Sequence, residues 1–338
     1  MPQYRFDNII GQREAIDFLQ NAIRTGHVPH ALILCGEKGS GKRDLAMAFA
    51  AALQCAEHGK EPCGHCRSCR QAAADSHPDV ILVTNERAGA ETKTNTIGVK
   101  TARFLQGDVS IKPYEGPYKI YIMPDAHYMN SQAQNALLKA LEEPPAYAVL
   151  ILLAETTAAF LPTILSRCIT LKLRPAAENE LMTALVNENI PPQRAMICAR
   201  LSHGNPGRCL QLARDGELEA FRVDCAAFLK RMPEVSSYDI VHFAEGLTSK
   251  EGSRVDDFLD FGLSWFRDIL TAKGRGDSLI FLDEVTYINN TAQSISFASL
   301  ESIFQAFDTA AVRRAAKGND TQIMEVLLLN IRRAMSRR

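Results

Sequence analysis

The stretch HALILCGEKGSGKRD, residues 30–44, constrains this chain more than any other. A short apolar run, His30–Cys35, leads into a glycine-rich loop. An Ala-rich segment with helical spacing, Leu45 and Phe49, then continues from about Lys42 to Leu53. Gly36, Gly41 and Lys42 fall in the spacing G-x-x-x-x-G-K, with a further glycine at Gly39. Strand, loop and helix in that order form a phosphate-binding loop. Backbone N–H groups and the helix N-terminus face an anion, and the lysine reaches the β- and γ-phosphates. The next position should carry a Ser or Thr hydroxyl to hold Mg²⁺. It is Arg43, which would place a cation where the metal should sit.

The rest of the first half alternates in the same way. Strand-like runs occur at Val80–Thr84, Lys119–Met123 and Val149–Leu153, and residues 130–145 carry Ala133, Leu137, Ala140 and Leu141 at helical spacing until Pro144. Continuous apolar strands alternating with helices predict a parallel sheet covered on both faces. The acidic metal ligand of such a site ends a later strand. After KIYIM (119–123) that position is Pro124, and Asp125 comes one place late, which in a strand turns it to the opposite face. Two defects in one metal site argue against hydrolysis. After about Arg174 strand signals fade: 176–215 reads as short helices with a turn at Gly204-Asn205-Pro206-Gly207, and 217–338 as helical nearly throughout. The expected division is an α/β domain at 1–174, a small helical domain at 175–215 and a helical C-terminal domain at 216–338. In the last, Met324, Leu327, Leu328 and Ile331 make a face that reads as internal core rather than interface. The basic end, IRRAMSRR, reads as a solvated terminus.

Four of the nine cysteines, Cys55, Cys63, Cys66 and Cys69, give C-x₇-C-x₂-C-x₂-C. Such spacing suits a structural tetrahedral Zn²⁺, closed to chemistry by its four thiolates. His58 and His65 are nearby substitutes, and an iron–sulfur reading lacks its trailing C-x₃-C-P. The metal pattern, with the other cysteines scattered, favours a reducing compartment. The formal net charge of −1 gives no global attraction to nucleic acid. The N-terminus lacks a signal-peptide layout, and the longest apolar run, near Ala148–Ala154, is far short of the ~20 residues of a membrane helix. A soluble cytoplasmic protein without a membrane partner is expected.

FDNIIGQ (6–12), VPHALILCG (28–36), the four-cysteine insertion, NALLKALEEPP (135–145), LPTILSRC (161–168) and GNPGR (204–208) together resemble the clamp-loader AAA+ subunits of bacterial DNA polymerase III, over most of residues 1–215. The resemblance implies an AAA+ domain, a helical lid and an all-helical collar that holds an oligomeric ring. The gamma/tau ATPases of that family keep GK[ST] and an Asp-Glu box. GKR and Pro-Asp make this chain similar to the rigid, non-hydrolysing kind of member. The implied role is to scaffold the ring and help load the sliding clamp onto primer–template DNA, beside gamma/tau and delta subunits. Ser166-Arg167-Cys168 then matches the family's S-R-C motif, so Arg167 is implied to be an arginine finger completing a neighbour's ATP site. Thr156 and Thr157 fall where the family has a polar sensor, and Arg208 matches its second sensor arginine. Gly36, Gly39, Gly41, Lys42 and Arg208 would outline a degenerate nucleotide site, with ATP unsupported as its cofactor. Two other readings stand beside this one, an active ATPase of gamma/tau type and a free-standing zinc-dependent nucleic-acid binder.

Overall fold

The structure, a computed structural model, describes residues 4–90, 96–248, 253–276 and 278–336; the last two residues of the basic terminus lie outside these. In chain order its first elements are α1 (Arg13–Thr25), β1 (Ala31–Cys35), α2 (Lys42–Leu53), α3 (Arg67–Ala73), β2 (Val80–Leu82), α4 (Val99–Asp108), β3 (Lys119–Met123), α5 (Ser131–Glu142), β4 (Ala148–Ala154), α6 (Pro162–Leu165) and β5 (Ile169–Lys172). Helices follow: α7 (Glu178–Asn187), α8 (Pro192–Leu201), α9 (Pro206–Arg214), α10 (Gly216–Arg231), α11 (Ser237–Leu247), α12 (Val255–Lys273), α13 (Val285–Ser294), α14 (Phe297–Ala315) and α15 (Asp320–Ser336). Two compact units result, Met1–Ala184 with Gly204–Arg208, and Leu185–His203 with Cys209–Arg338.

The first unit is built on a five-stranded sheet of order β2-β3-β4-β1-β5 with every pair parallel. Alternation splits each strand between two cores. Leu32, Leu34, Ile120, Ile122, Val149 and Ile151 join the α1–α2 side. Ala31, Ile33, Tyr121, Met123, Leu150 and Leu152 join the α4–α5 side. Burial on both faces is why the strands read as unbroken apolar runs. At roughly 1.5–3 kcal/mol for each large side chain removed from water, these layers dominate the unit's stability. Along α2, Leu45 to Leu53 are all buried, so alanine lets this helix lie close to the sheet. Asn130 caps α5 by accepting the Ala133 N–H at 2.8 Å. β5 is a half-exposed edge strand, and its ITLK lacks the apolar run that marks the others.

β1 lies between β4 and β5, and this placement sets the site. The Gly36 N–H donates to Ala154 O at 3.0 Å, and Leu173 N–H donates to Cys35 O at 2.7 Å. The glycine loop therefore emerges where chain connections diverge to either side of β1, the usual place for ligands in open parallel sheets.

The second unit is all helical. Trp265, Phe258, Phe266, Phe281 and Phe307 form its core, joined by Met324, Leu327, Leu328 and Ile331 as their spacing predicts. The buried Asp268 carboxylate accepts the Ile280 and Phe281 N–H groups at 2.7 and 2.8 Å, fixing the chain that leads into α13.

Candidate functional site

Gly39 and Gly41 have φ of +85° and +88°, the left-handed region that glycine enters without a Cβ clash. They curl the loop so that α2 begins at Lys42. The Lys42 ammonium does not extend outward. Its Nζ donates to the loop's own carbonyls, Gly36 O at 2.6 Å and Glu37 O at 2.7 Å. Burial lowers its pKa, opposed by the negative charges of Glu155 and Asp125.

Residues 204–208 close over the loop's tip. Gly207 N–H donates to Gly39 O at 2.8 Å, and Asn205 Nδ2 donates to Lys38 O at 2.7 Å. The contact is tight: a Cβ on Gly39 would lie 2.6 Å from Asn205 Oδ1, and one on Gly207 would lie 2.9 Å from Gly39 Cα. Asn205 Oδ1 also accepts the Arg208 N–H at 3.1 Å, so the GNPGR turn is braced from within. Beside the loop, a cleft of 230 Å³ is lined by Ser40, Glu155, Lys172 and Arg174 among others. That is below the roughly 300–1,000 Å³ of drug-sized ligand pockets. The residues expected to outline a degenerate nucleotide site, Gly36, Gly39, Gly41, Lys42 and Arg208, share one region, with the loop tip engaged by its own chain.

Two expectations about the metal position are corrected. Arg43 does not place its cation there. Its Nη2 pairs with Asp75 Oδ2 at 3.2 Å, and both side chains are largely exposed. An acidic partner away from the Lys42 ammonium avoids like-charge repulsion, while the missing hydroxyl remains missing. Nor does strand alternation govern Asp125. β3 ends at Met123, and Asp125 has φ +50° and ψ 34° beyond it. Its charge is felt at Lys42, so an acidic field persists without the Ser/Thr–Asp pair that holds Mg²⁺.

The four-cysteine cluster is assembled. Cys55, Cys63, Cys66 and Cys69 place their sulfurs within 4.8 Å of one another, and all are free thiols. Cys63 and Cys69 Sγ lie 3.9 Å apart, close to the ~3.8 Å edge of a tetrahedron built from Zn–S bonds of ~2.3 Å. Backbone N–H groups of Cys63, Cys66 and Cys69 point at Cys55, Cys63 and Cys66 Sγ at 3.4, 3.3 and 3.4 Å. For Cys66, burial raises the pKa, but the N–H groups of Ala56 and Cys69 and the thiols of Cys69 and Cys63 outweigh it and bring it to about 6, while burial pushes the Cys63 and Cys69 thiols up. This donor set fits Zn²⁺. His65 is paired with Glu57, and that pair with Cys63 forms a second, more exposed cluster. The module is tied into the unit by Glu61, which accepts Phe6 N–H at 3.2 Å and Gln20 Nε2 at 2.5 Å.

Arg167 follows α6 at the unit's surface. Its Nη2 pairs with Glu142 Oε1 at 2.8 Å, and its Nη1 donates to Thr163 O at 3.0 Å. Thr156, just past β4, spends its hydroxyl locally by accepting the Ala158 N–H at 3.2 Å. Sequence reasoning missed Glu142 as the partner of Arg167. It also missed Asn205 as the residue on the glycine loop. In both cases only the fold brings the pair together.

Among the described residues no helix is long and apolar enough to cross a membrane. A family model described as "DNA polymerase III, delta subunit" matches residues 11–177. The DNA polymerase III subunit delta' of Bacillus subtilis is 29% identical over 94% of this chain and 95% of that protein. The subunit delta' of Escherichia coli is 32% identical over 68% of each chain. Subunit tau/gamma of Haemophilus influenzae is 37% identical over 55% of this chain, which spans 27% of that longer protein. With its parallel five-stranded sheet and helical C-terminal region, the chain belongs to the delta' family of DNA polymerase III clamp-loader subunits, related to tau/gamma.

Proposed function

We propose that this chain is a non-hydrolysing scaffold of the clamp loader, working in the cytoplasm during DNA replication. It completes the ATP site of a neighbouring gamma/tau subunit through Arg167. With gamma/tau and delta it helps place the sliding clamp on primer–template DNA. The observation that carries this reading is the state of its own phosphate loop. Arg43 and Pro124 replace both metal-holding groups, and the loop's tip accepts hydrogen bonds from Asn205 at Lys38 O and from Gly207 at Gly39 O. Arg167, by contrast, stands at the surface on a side chain about one-third exposed. An arginine given in trans stabilises charge on a transferring phosphoryl group.

In the same reading residues 1–174 are the AAA+ domain, 175–215 the lid and 216–338 the collar. Cys55, Cys63, Cys66 and Cys69 hold one structural Zn²⁺. The ion supplies a cross-link for a segment with little core of its own; Glu61 and Arg67 then carry the module's attachment to the sheet domain. Arg67 does so through its 2.9 Å pair with Glu115.

The alternative, an active ATPase of gamma/tau type, draws on the retained Lys42 and the acidic field of Asp125 and Glu155. Purified chain separates the two. The scaffold reading expects phosphate release from ATP at background. It also expects co-elution with gamma/tau and delta as a complex whose ATPase responds to clamp and primed DNA. Turnover by the chain alone that disappears in Lys42→Ala would support the alternative.

A further inference from the structure

The finger arginine is held in place before any neighbour arrives. One ion pair and two hydrogen bonds engage its guanidinium: Nη2 lies 2.8 Å from Glu142 Oε1, and Nη1 donates to Thr163 O at 3.0 Å and Ser166 Oγ at 3.3 Å. A guanidinium has five N–H donors. Among the described residues the Nε–H has no acceptor, which leaves it available to a phosphoryl oxygen. Glu142 is the last residue of α5, where Glu143 and Pro144 end the helix, so its side chain projects from a defined helix terminus.

The same helix also fixes the backbone that carries Arg167. The Gln134 side chain, 3% exposed, donates from Nε2 to Met129 O at 3.1 Å and to Ala159 O at 2.9 Å. Its Oε1 accepts Leu161 N–H at 2.7 Å. Leu161 is the residue from which α6 starts, and Arg167 comes directly after that turn. One helix therefore grips both ends of the segment, its entry through a buried amide and its arginine through a carboxylate.

We propose that Glu142 is the positioning residue for Arg167, with Gln134 anchoring the turn that carries it, so that the arginine meets a neighbour's ATP already ordered. This rests on the reading that Arg167 serves a neighbour's ATP site. Ordering a long side chain in advance removes an entropic cost from the transition state, where small misplacements are expensive. Glu142 touches no phosphate in this account. It acts through kcat by limiting where the guanidinium sits.

The test uses reconstituted loader with clamp and primed DNA, reading kcat and KM for ATP. The variants are Arg167→Ala, Glu142→Ala, Glu142→Gln and the double variant Glu142→Ala/Arg167→Ala. Glu142 is half-exposed, so these variants should fold and assemble. Glu142→Ala should lower kcat about two- to five-fold, the scale of an exposed ion pair, with KM unchanged. Glu142→Gln keeps an oxygen at the same reach without the charge and should recover part of that loss. On the Arg167→Ala background, Glu142→Ala should add nothing. Wild-type kcat in Glu142→Ala, in a loader that Arg167→Ala cripples, would overturn the positioning role and leave the finger standing. So would an equal loss on both backgrounds, or failure of Glu142→Gln to recover. Wild-type rates for both single alanine variants would end the finger reading and this inference with it.

Discussion

Gly39 shows how one position ties the phosphate loop to the rest of its unit. It needs a positive φ, it faces Asn205 Oδ1, and its carbonyl accepts the Gly207 N–H. Gly39→Ala meets both strain and collision and should cost roughly 1–3 kcal/mol, read as a lower denaturation midpoint with unchanged slope. A midpoint equal to wild type would show that the 204–208 contact is loose in solution. Arg43 is the residue to restore. Its pair with Asp75 is exposed and worth little, so Arg43→Thr should leave stability nearly unchanged. It returns the Mg²⁺-holding hydroxyl but not the acid at Pro124. Phosphate release by the isolated Arg43→Thr chain should therefore stay at background. A Lys42-dependent rate would mean that Asp125, whose charge already reaches the lysine, replaces the missing ligand. The glycine spacing and both defects were legible in the sequence because each depends on neighbours a few positions apart. The closure by Asn205 was not, because 166 positions separate it from Gly39, and nothing local in GNPGR names its target.

Elements were legible where local chemistry and burial agree. α5 has an Asn cap, helical spacing and a proline stop, and its helix spans Ser131–Glu142. β3 and β4 are buried on both faces and read as unbroken apolar runs. β5 was not legible, because an edge strand with Ile169 exposed lacks that signature. α3 was hidden for another reason. Its start depends on a sulfur cap, Cys66 Sγ accepting the Cys69 N–H, so the cysteine cluster organises the helix. From this follows the metal prediction. Protein purified under reducing conditions should carry one zinc per chain, and Cys66→Ser should lose it. Chelation should raise amide exchange through 55–74 and, by way of Glu61, at Phe6. The sheet should persist, since its two cores are built without the insertion, and the melting temperature should fall only by about a few degrees. Iron by elemental analysis, or no metal at all, would contradict the assignment. Collapse of the whole fold on chelation would contradict the division of labour between module and sheet.

Across the whole molecule, the residues that the proposed reading assigns to ATP sites are unevenly kept. The loop that would bind the chain's own nucleotide lacks its metal-holding groups and is engaged by residues 205–207. The arginine that would serve another chain is at the surface, with α5 holding it. The resemblance carried by SRC pointed to Arg167, but composition could not have done so, because a surface arginine beside a carboxylate is ordinary. The most direct measurement is steady-state ATP turnover by fully assembled loader, with clamp and primed DNA, containing either wild-type chain or Arg167→Ala. Fingers given in trans are worth up to about 10³–10⁵ in GTPase systems. A smaller loss is expected here, because only the ATP site facing this subunit is affected. With Arg167→Ala, turnover and clamp loading should fall clearly, with assembly and melting temperature unchanged. Equal turnover in two complexes of verified composition would contradict it, and would leave Arg167 with no role beyond its pair with Glu142.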